Sequence, residues 1–197
     1  MLDRIKLGFL TLCFVLLSGC WIPEKFDTKV VVNKDLSYTF TYNGVLAFAP
    51  ALDAHRKGQL TAKDEAKLKE AEKELVKDPN FKRATHLGKG RYRVQVEKKG
   101  TPGERFIFLS RENAIISLVP RRDGSLAISA FRPDQNTIKE LKSLGIKIDG
   151  KLAVSVAKGL EVTQHNAQKA PRGPSGIYRW QIRTPDQNPS IIIRRAG

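Results

Sequence analysis

The feature that most constrains this chain is an apolar run near its start, residues 7–17, which ends shortly before Cys20. Two basic residues, Arg4 and Lys6, precede it. A helix that crosses a bilayer needs about 20 apolar residues, so a run of 11 is too short to span but suits the core of an export signal. We therefore expect this segment to be removed and to take no part in the fold, the alternative being an N-terminal core helix.

The run ends in Leu17-Ser18-Gly19-Cys20, which resembles the cleavage motif of bacterial lipoproteins. The resemblance implies that residues 1–19 are a lipoprotein signal peptide and that Cys20 carries the lipid, including palmitate-type acyl chains. It also implies a lipid-anchored protein on the exported side of a bacterial membrane. Trp21 follows the cysteine where aspartate would mark retention, which favours the periplasmic face of the outer membrane in a Gram-negative cell. An ordinary secretory signal that contains a cysteine is the alternative.

Cleavage before Cys20 leaves 178 residues, a length that suits one domain. Cys13 leaves with the signal and Cys20 carries lipid, so the domain has no disulfide and depends on its core. We predict a short lipidated tether over residues 20–25 and a single domain over residues 26–197. The tether would span roughly 18 Å and hold the domain against the head groups, with Trp21 at the interface.

Alternating and continuous apolar residues separated by short turns predict strands over most of the domain. Tyr38, Phe40 and Tyr42 are one example, and Asn43-Gly44 marks either a turn or a bulge after them. A charged helical insertion is predicted at about residues 50–78, with a capping-box-like start at Thr61. The fold class is therefore α+β: a mostly antiparallel β-sheet with one or two helices packed on a face or edge.

Removal of the signal lowers the net charge from +15 to +14, because Asp3, Arg4 and Lys6 are lost with it. Such a charge favours anionic partners, and in a cell envelope these are lipid head groups, phosphorylated glycolipids and acidic polymers. Nucleic acid is not expected as a partner of an exported protein. A basic surface that serves only solubility explains the same charge.

Arginine recurs on the polar side of strands that are otherwise apolar. Tyr92, Val94 and Val96 alternate with Arg91 and Arg93, and the strand that contains Trp180 shows the same pattern. Arginine suits phosphate because its guanidinium donates two parallel hydrogen bonds. If these strands are neighbours they form one basic sheet face; a solvated outer face is the alternative. The candidate anion-binding residues are Arg91, Arg93, Arg121, Arg122, Arg179, Arg183, Arg194 and Arg195.

The end of the chain resembles the LppM-like family of bacterial lipoproteins. The matching features are residues 162–167 with Asn166, a strand with Trp180, and the closing strand 191–193. The charged helix that begins at Thr61 departs from the family pattern. The resemblance implies an α+β domain and recognition of a glycolipid or phosphoinositide.

No arrangement of residues typical of catalysis or metal binding is found. The histidines are scattered at positions 55, 86 and 165, and no motif with metal-ligand, phosphate-loop or nucleophile-elbow spacing occurs. We therefore expect no enzyme activity, no cofactor and no metal. The predicted function is a membrane-anchored envelope lipoprotein that binds an anionic lipid or glycolipid, and the alternative is a structural lipoprotein that docks other envelope proteins.

Overall fold

The structure, a computed structural model, describes residues 21–109, 115–130 and 133–197. The signal segment and Cys20 lie outside the described residues. The described helices are α1 (Ala49–Arg56), α2 (Ala62–Leu75) and α3 (Gln135–Ser143). The described strands are β1 (Trp21–Val32), β2 (Tyr38–Phe48), β3 (Phe81–Gly88), β4 (Arg91–Gly100), β5 (Phe106–Phe108), β6 (Ile116–Pro120), β7 (Leu126–Ala130), β8 (Asp149–Val156), β9 (Leu160–His165), β10 (Gly176–Ile182) and β11 (Ser190–Arg195).

These strands form two sheets, and the α+β class predicted from the sequence is confirmed. The first sheet has the order β10-β8-β1-β2-β4-β3, and the second has the order β5-β6-β7-β11-β9. All pairings between the named strands are antiparallel except that of β1 with β8. A sequence read strand by strand predicts one sheet, because alternation within a strand does not say which sheet the strand joins.

The core lies between the two sheets. Phe40 of β2 is fully buried, and its ring centroid lies 5.1 Å from that of Phe106 and 5.2 Å from that of Phe108, both on β5. Tyr42 contacts Phe108 in the same way at 4.9 Å. The alternating aromatic residues of β2 are therefore core residues, and the residues between them face away from the second sheet.

The strand β1 begins at Trp21, so residues 21–25, which the sequence predicts as a tether, are strand. Trp21 is 7% exposed and packs on Phe48 and Tyr92, so the ring predicted at a membrane interface is buried within the domain. A bulge in β1 between Pro23 and Phe26 explains why the apolar alternation is interrupted there. The sequence missed this start because a bulge changes the period of two on which strand prediction depends.

Gly44 lies within β2, directly opposite Phe26, and is not part of a turn. A Cβ at position 44 would lie 2.6 Å from both Cβ of Phe26 and the carbonyl oxygen of Lys25. Gly150 flanks Phe26 on its other side in β8, where the ring occupies the space of a side chain. Two glycines thus make room for Phe26 in the middle of the first sheet.

The charged helix α2 has the predicted cap and packs on the edge strand β3. The Thr61 hydroxyl accepts a hydrogen bond from the Asp64 amide at 3.2 Å, and the Asp64 carboxylate accepts one from the Thr61 amide at 3.1 Å. Leu68 and Ala71 are the buried residues of this helix. The Tyr92 hydroxyl donates a 2.5 Å hydrogen bond to the Leu68 carbonyl and so joins the helix to the sheet.

Candidate functional site

The outer surface of the first sheet carries an excess of exposed cations. Residues paired across strands point to the same side of a sheet, and the register joins Arg179, Ala153, Lys29, Thr41 and Glu97 in one row across β10, β8, β1, β2 and β4. The next row contains Gln181, Lys151, Asp27, Asn43, Gln95 and Arg83. We call this surface the basic sheet face; its exposed cations include Lys29, Arg83, Arg93, Lys99, Lys151 and Arg179.

One group of these cations lies on β10, β8 and β1. Lys151 is paired with Gln181 and Asp27, so Arg179 and Lys29 are its diagonal neighbours, at about 7–8 Å between backbones. Three cations at this spacing can contact one phosphorylated head group. Asp27, directly opposite Lys151, partly offsets their charge.

A second group lies on β3 and β4, and β2 separates it from the first. Gln95 is paired with Arg83, which makes Arg83 and Arg93 diagonal neighbours. On the intervening β2, Thr39, Thr41 and Asn43 face the same side as the cations. Hydroxyl and amide groups between two cationic clusters can both donate and accept hydrogen bonds.

The two arginine strands singled out by the sequence are not neighbours, because β8, β1 and β2 lie between β10 and β4. Arg93 and Arg179 nevertheless lie on the same face of the sheet. Arg91 forms an ion pair: its Nε and a terminal nitrogen donate to the two carboxylate oxygens of Glu24 at 2.8 and 2.9 Å. Arg183 is exposed just beyond the end of β10.

The other four arginine candidates lie at the opposite end of the molecule from Trp21. Arg195 donates to the carbonyl of Asp35, in the turn that follows β1. Arg194 pairs with Glu161 at 2.9 Å. Arg121 and Arg122 follow β6 in the turn before β7, and the register of β7 with β11 places this turn beside the end of β11. β1 has 12 residues, and the steps between its first and last residue, at about 3.3 Å each, separate the two ends by roughly 36 Å.

Sequence reasoning missed Lys29, Lys151, Lys99 and Arg83. Lys29 and Lys151 alternate with buried residues on their strands, Thr28 and Val30 for Lys29 and Gly150 and Leu152 for Lys151. The same alternation identified Arg93 and Arg179. The sequence did not show which strands are neighbours, and only the order of the strands shows that these residues share a face.

An apolar cavity of about 130 Å³ opens at the end of the molecule where β1 begins. Both sheets, α3 and the loop after β10 form its wall, and none of the described residues that line it carries a charge. They are Trp21, Ile22, Pro23, Phe26, Thr28, Ile115, Ile116, Ala130, Pro133, Thr137, Leu141, Ile148, Leu152, Ile182, Thr184, Pro185 and Gln187. The sequence could not predict this cavity, because its residues come from positions 21 to 187 of the chain.

The residues around Asn166 that carry the family resemblance have a structural role. The Asn166 side-chain oxygen accepts from Trp180 Nε1 at 2.9 Å and from the Ser190 amide at 2.8 Å, and its nitrogen donates to the Asn188 carbonyl at 2.7 Å. One side chain thus connects the end of β9 with β10 in the first sheet and with β11 in the second. This position fixes how the sheets meet and is not part of the basic sheet face.

Titratable groups elsewhere are used in packing. His86 lies against the Tyr92 ring, its Nε2 is 3.4 Å from a Glu65 carboxylate oxygen, and its amide donates to Glu72. These carboxylates belong to α2, so the contacts hold the helix on β3. Among the residues that the structure describes, no group of three or more histidine, cysteine, aspartate or glutamate side chains could hold a metal ion.

No protein-family model and no curated protein matches this chain. Among solved structures, it is similar to the NMR structure of the folded domain of the Mycobacterium tuberculosis LppM protein. The TM-score is 0.43 and the sequence identity is 11%, over 92% of this chain and 95% of that one. Within the described ranges, no helix has both the length and the apolar character needed to cross a bilayer.

Proposed function

We propose that this protein is a bacterial envelope lipoprotein, anchored through Cys20, whose domain binds an anionic lipid or glycolipid head group without catalysing a reaction. The observation that carries the proposal is the basic sheet face, where Lys29, Lys151 and Arg179 are close neighbours on an exposed surface. Ammonium and guanidinium groups on a flat surface bind phosphate by charge and by hydrogen bonds.

The anchor supports the same proposal. Trp21, the residue after Cys20, is already part of β1, so no flexible segment separates the predicted lipid from the described domain. In a two-membrane cell, Trp21 after the cysteine favours the periplasmic face of the outer membrane. The surface by which a domain held this close faces the membrane lies within a screening length of the head groups, about 8 Å at physiological salt, and cations on that surface are each worth about 1 kcal/mol.

The two sheets divide the arginine candidates. Arg93 and Arg179 lie on the basic sheet face, which can lie flat against a membrane. Arg121, Arg122, Arg194 and Arg195 lie on or beside strands of the second sheet, and Arg194 and Arg195 are engaged by Glu161 and by the carbonyl of Asp35. We therefore assign head-group binding to the sheet face and not to the far end.

The test is binding of the unlipidated domain to vesicles with and without an anionic phospholipid. The variant is Lys29→Gln/Lys151→Gln/Arg179→Gln, and we expect affinity for anionic vesicles to fall on the order of 100-fold at physiological salt. The matched control is Lys63→Gln/Lys69→Gln/Lys73→Gln on α2, which removes the same charge from exposed positions with similar helix propensity. Equal losses in both variants, or binding that ignores anionic lipid, would refute the proposal.

A further inference from the structure

The apolar cavity is not explained by recognition of a head group. Head groups are polar, whereas the cavity wall is built from aliphatic and aromatic side chains, with threonine hydroxyls and Gln187 as its polar groups. A concave apolar site of this kind takes an apolar ligand, since a buried polar group would lose its hydrogen bonds to water.

The size of the cavity limits the ligand. At about 130 Å³ it is slightly smaller than an apolar protein cavity of about 150 Å³ that holds one benzene molecule. A whole phospholipid cannot enter, but about six carbons of one acyl chain fit. The ligand is therefore a segment of a single acyl chain.

The position of the cavity selects one source of acyl chain. Trp21, Ile22 and Pro23 are the first described residues of the chain, and all three line the cavity. Residues 1–20 lie outside the structure and end at this wall, and consecutive Cα atoms are 3.8 Å apart. An acyl group on Cys20 is thus attached within one residue of the opening.

Proximity decides between this acyl chain and those of free membrane lipids. An acyl chain that leaves a bilayer for the cavity exchanges one apolar surrounding for another, so the hydrophobic effect favours neither strongly. A covalently attached chain has a millimolar effective concentration at the site and does not have to be extracted together with a head group. The acyl chain on Cys20 therefore has the advantage.

We propose that the cavity holds a segment of one acyl chain of the lipid on Cys20, while the remaining acyl chains stay in the membrane. This inference rests on the lipid anchor of the proposed function. The bound chain fixes how the domain is oriented relative to the membrane. The site belongs to the anchor and is separate from the basic sheet face.

The test uses the full chain, expressed in bacteria that are fed a photoreactive palmitate with a diazirine group. After irradiation, the protein is purified and digested, and cross-linked peptides are identified by mass spectrometry. We expect the acyl chain on the Cys20 peptide to cross-link to the peptides that contain Leu141 or Ile182, which line the cavity.

Two variants on α3 provide the control. Thr137→Trp fills the cavity from its helical wall and should reduce this cross-link at least 10-fold, whereas Lys139→Trp on the exposed side of the same helix should leave it unchanged. Thermal unfolding of both variants verifies that they fold. If Thr137→Trp does not fold, the cross-link in the unmodified chain still tests the proposal.

The possible results separate this inference from the proposed function. A lipidated Cys20 without a cross-link to cavity peptides overturns the inference alone. Cavity peptides cross-linked to a free phospholipid overturn it in favour of a membrane-lipid ligand. A Cys20 peptide without lipid overturns both the anchor and this inference, while vesicle binding by the basic sheet face is tested independently.

Discussion

At the scale of single residues, aspartates organise several of the turns and helix starts. Asp35 accepts hydrogen bonds from the hydroxyl and amide of Ser37, and Asp123 does the same with Ser125. The bonds from the serine hydroxyl lower the pKa of each carboxyl, since they are made to its charged form. Both are Asp-x-Ser sequences, so this local structure is encoded by neighbouring residues.

The first prediction concerns acid stability. A carboxyl whose pKa is lowered by folding stabilises the protein above its unfolded pKa, near 3.8, and this stabilisation is lost as the pH falls through the folded value. The midpoint of urea unfolding should therefore decrease as the pH falls from about 5 to about 2.5. Asp123→Asn keeps the hydrogen-bonding oxygen but does not ionise, so this decrease should become smaller; an unchanged decrease would contradict the role of Asp123.

At the scale of elements, α2 shows how a polar helix is held on a sheet that it barely covers. Its buried residues are Leu68 and Ala71, Leu75 packs partly buried against the core, and polar contacts add to this attachment. Glu65 accepts from the Lys89 amide at 2.8 Å, in addition to the Tyr92 bond to the Leu68 carbonyl. Burial raises the pKa of Tyr92 above its ordinary value of 10.0, so its hydroxyl remains a proton donor to the helix even in alkaline solution.

The second prediction tests this attachment. Tyr92→Phe removes a buried hydrogen bond and should lower the free energy of unfolding by about 1 kcal/mol. Hydrogen exchange should accelerate first in α2, since the bond holds this helix on the sheet. Tyr178→Phe is the control, because its hydroxyl donates to the Pro174 carbonyl in a loop. If Tyr92→Phe leaves exchange in α2 as unchanged as the control does, Tyr92 does not hold the helix.

At the scale of the whole molecule, the strands of the first sheet separate a core surface from a polar, predominantly basic one. Phe40 joins β2 to β5 across the core, while Thr39 and Thr41 on the same strand face outward. The outward residues are free to carry charge because the second sheet covers only the inner face. The same folding event therefore builds the core and assembles the basic sheet face.

The third prediction tests this division. Phe40→Ala should lower the free energy of unfolding by about 3–5 kcal/mol, because it leaves a cavity between the sheets. Val31→Ala on the outer face, where the side chain is 45% exposed, should change it by less than about 1 kcal/mol. Urea unfolding followed by circular dichroism measures both. Similar losses in the two variants would contradict the assignment of the inner face as the core.

The sequence by itself determined the α+β class and the two sides of most strands. Alternation in Tyr92, Val94 and Val96 placed Arg93 on the outer side, since side chains on a strand alternate regardless of what the strand pairs with. The helix cap at Thr61 was also predictable from the sequence, because its hydrogen bonds join residues that are close along the chain. The bulge in β1 broke that local rule, so the first residues of the strand were predicted as a tether.

Only the tertiary structure decided which strands are neighbours. The parallel pairing of β8 with β1 brings Lys151 near Lys29, although more than 100 residues separate them, and the pairing of β10 with β8 brings Arg179 to the other side of Lys151. The pairing of β8 with β1 also forms part of the wall of the apolar cavity that opens near Trp21. Strand order is set by how all the apolar faces are buried together, and no segment contains that information alone. The sequence therefore indicates the lipid anchor, whereas the basic sheet face and the apolar cavity are formed only by the fold.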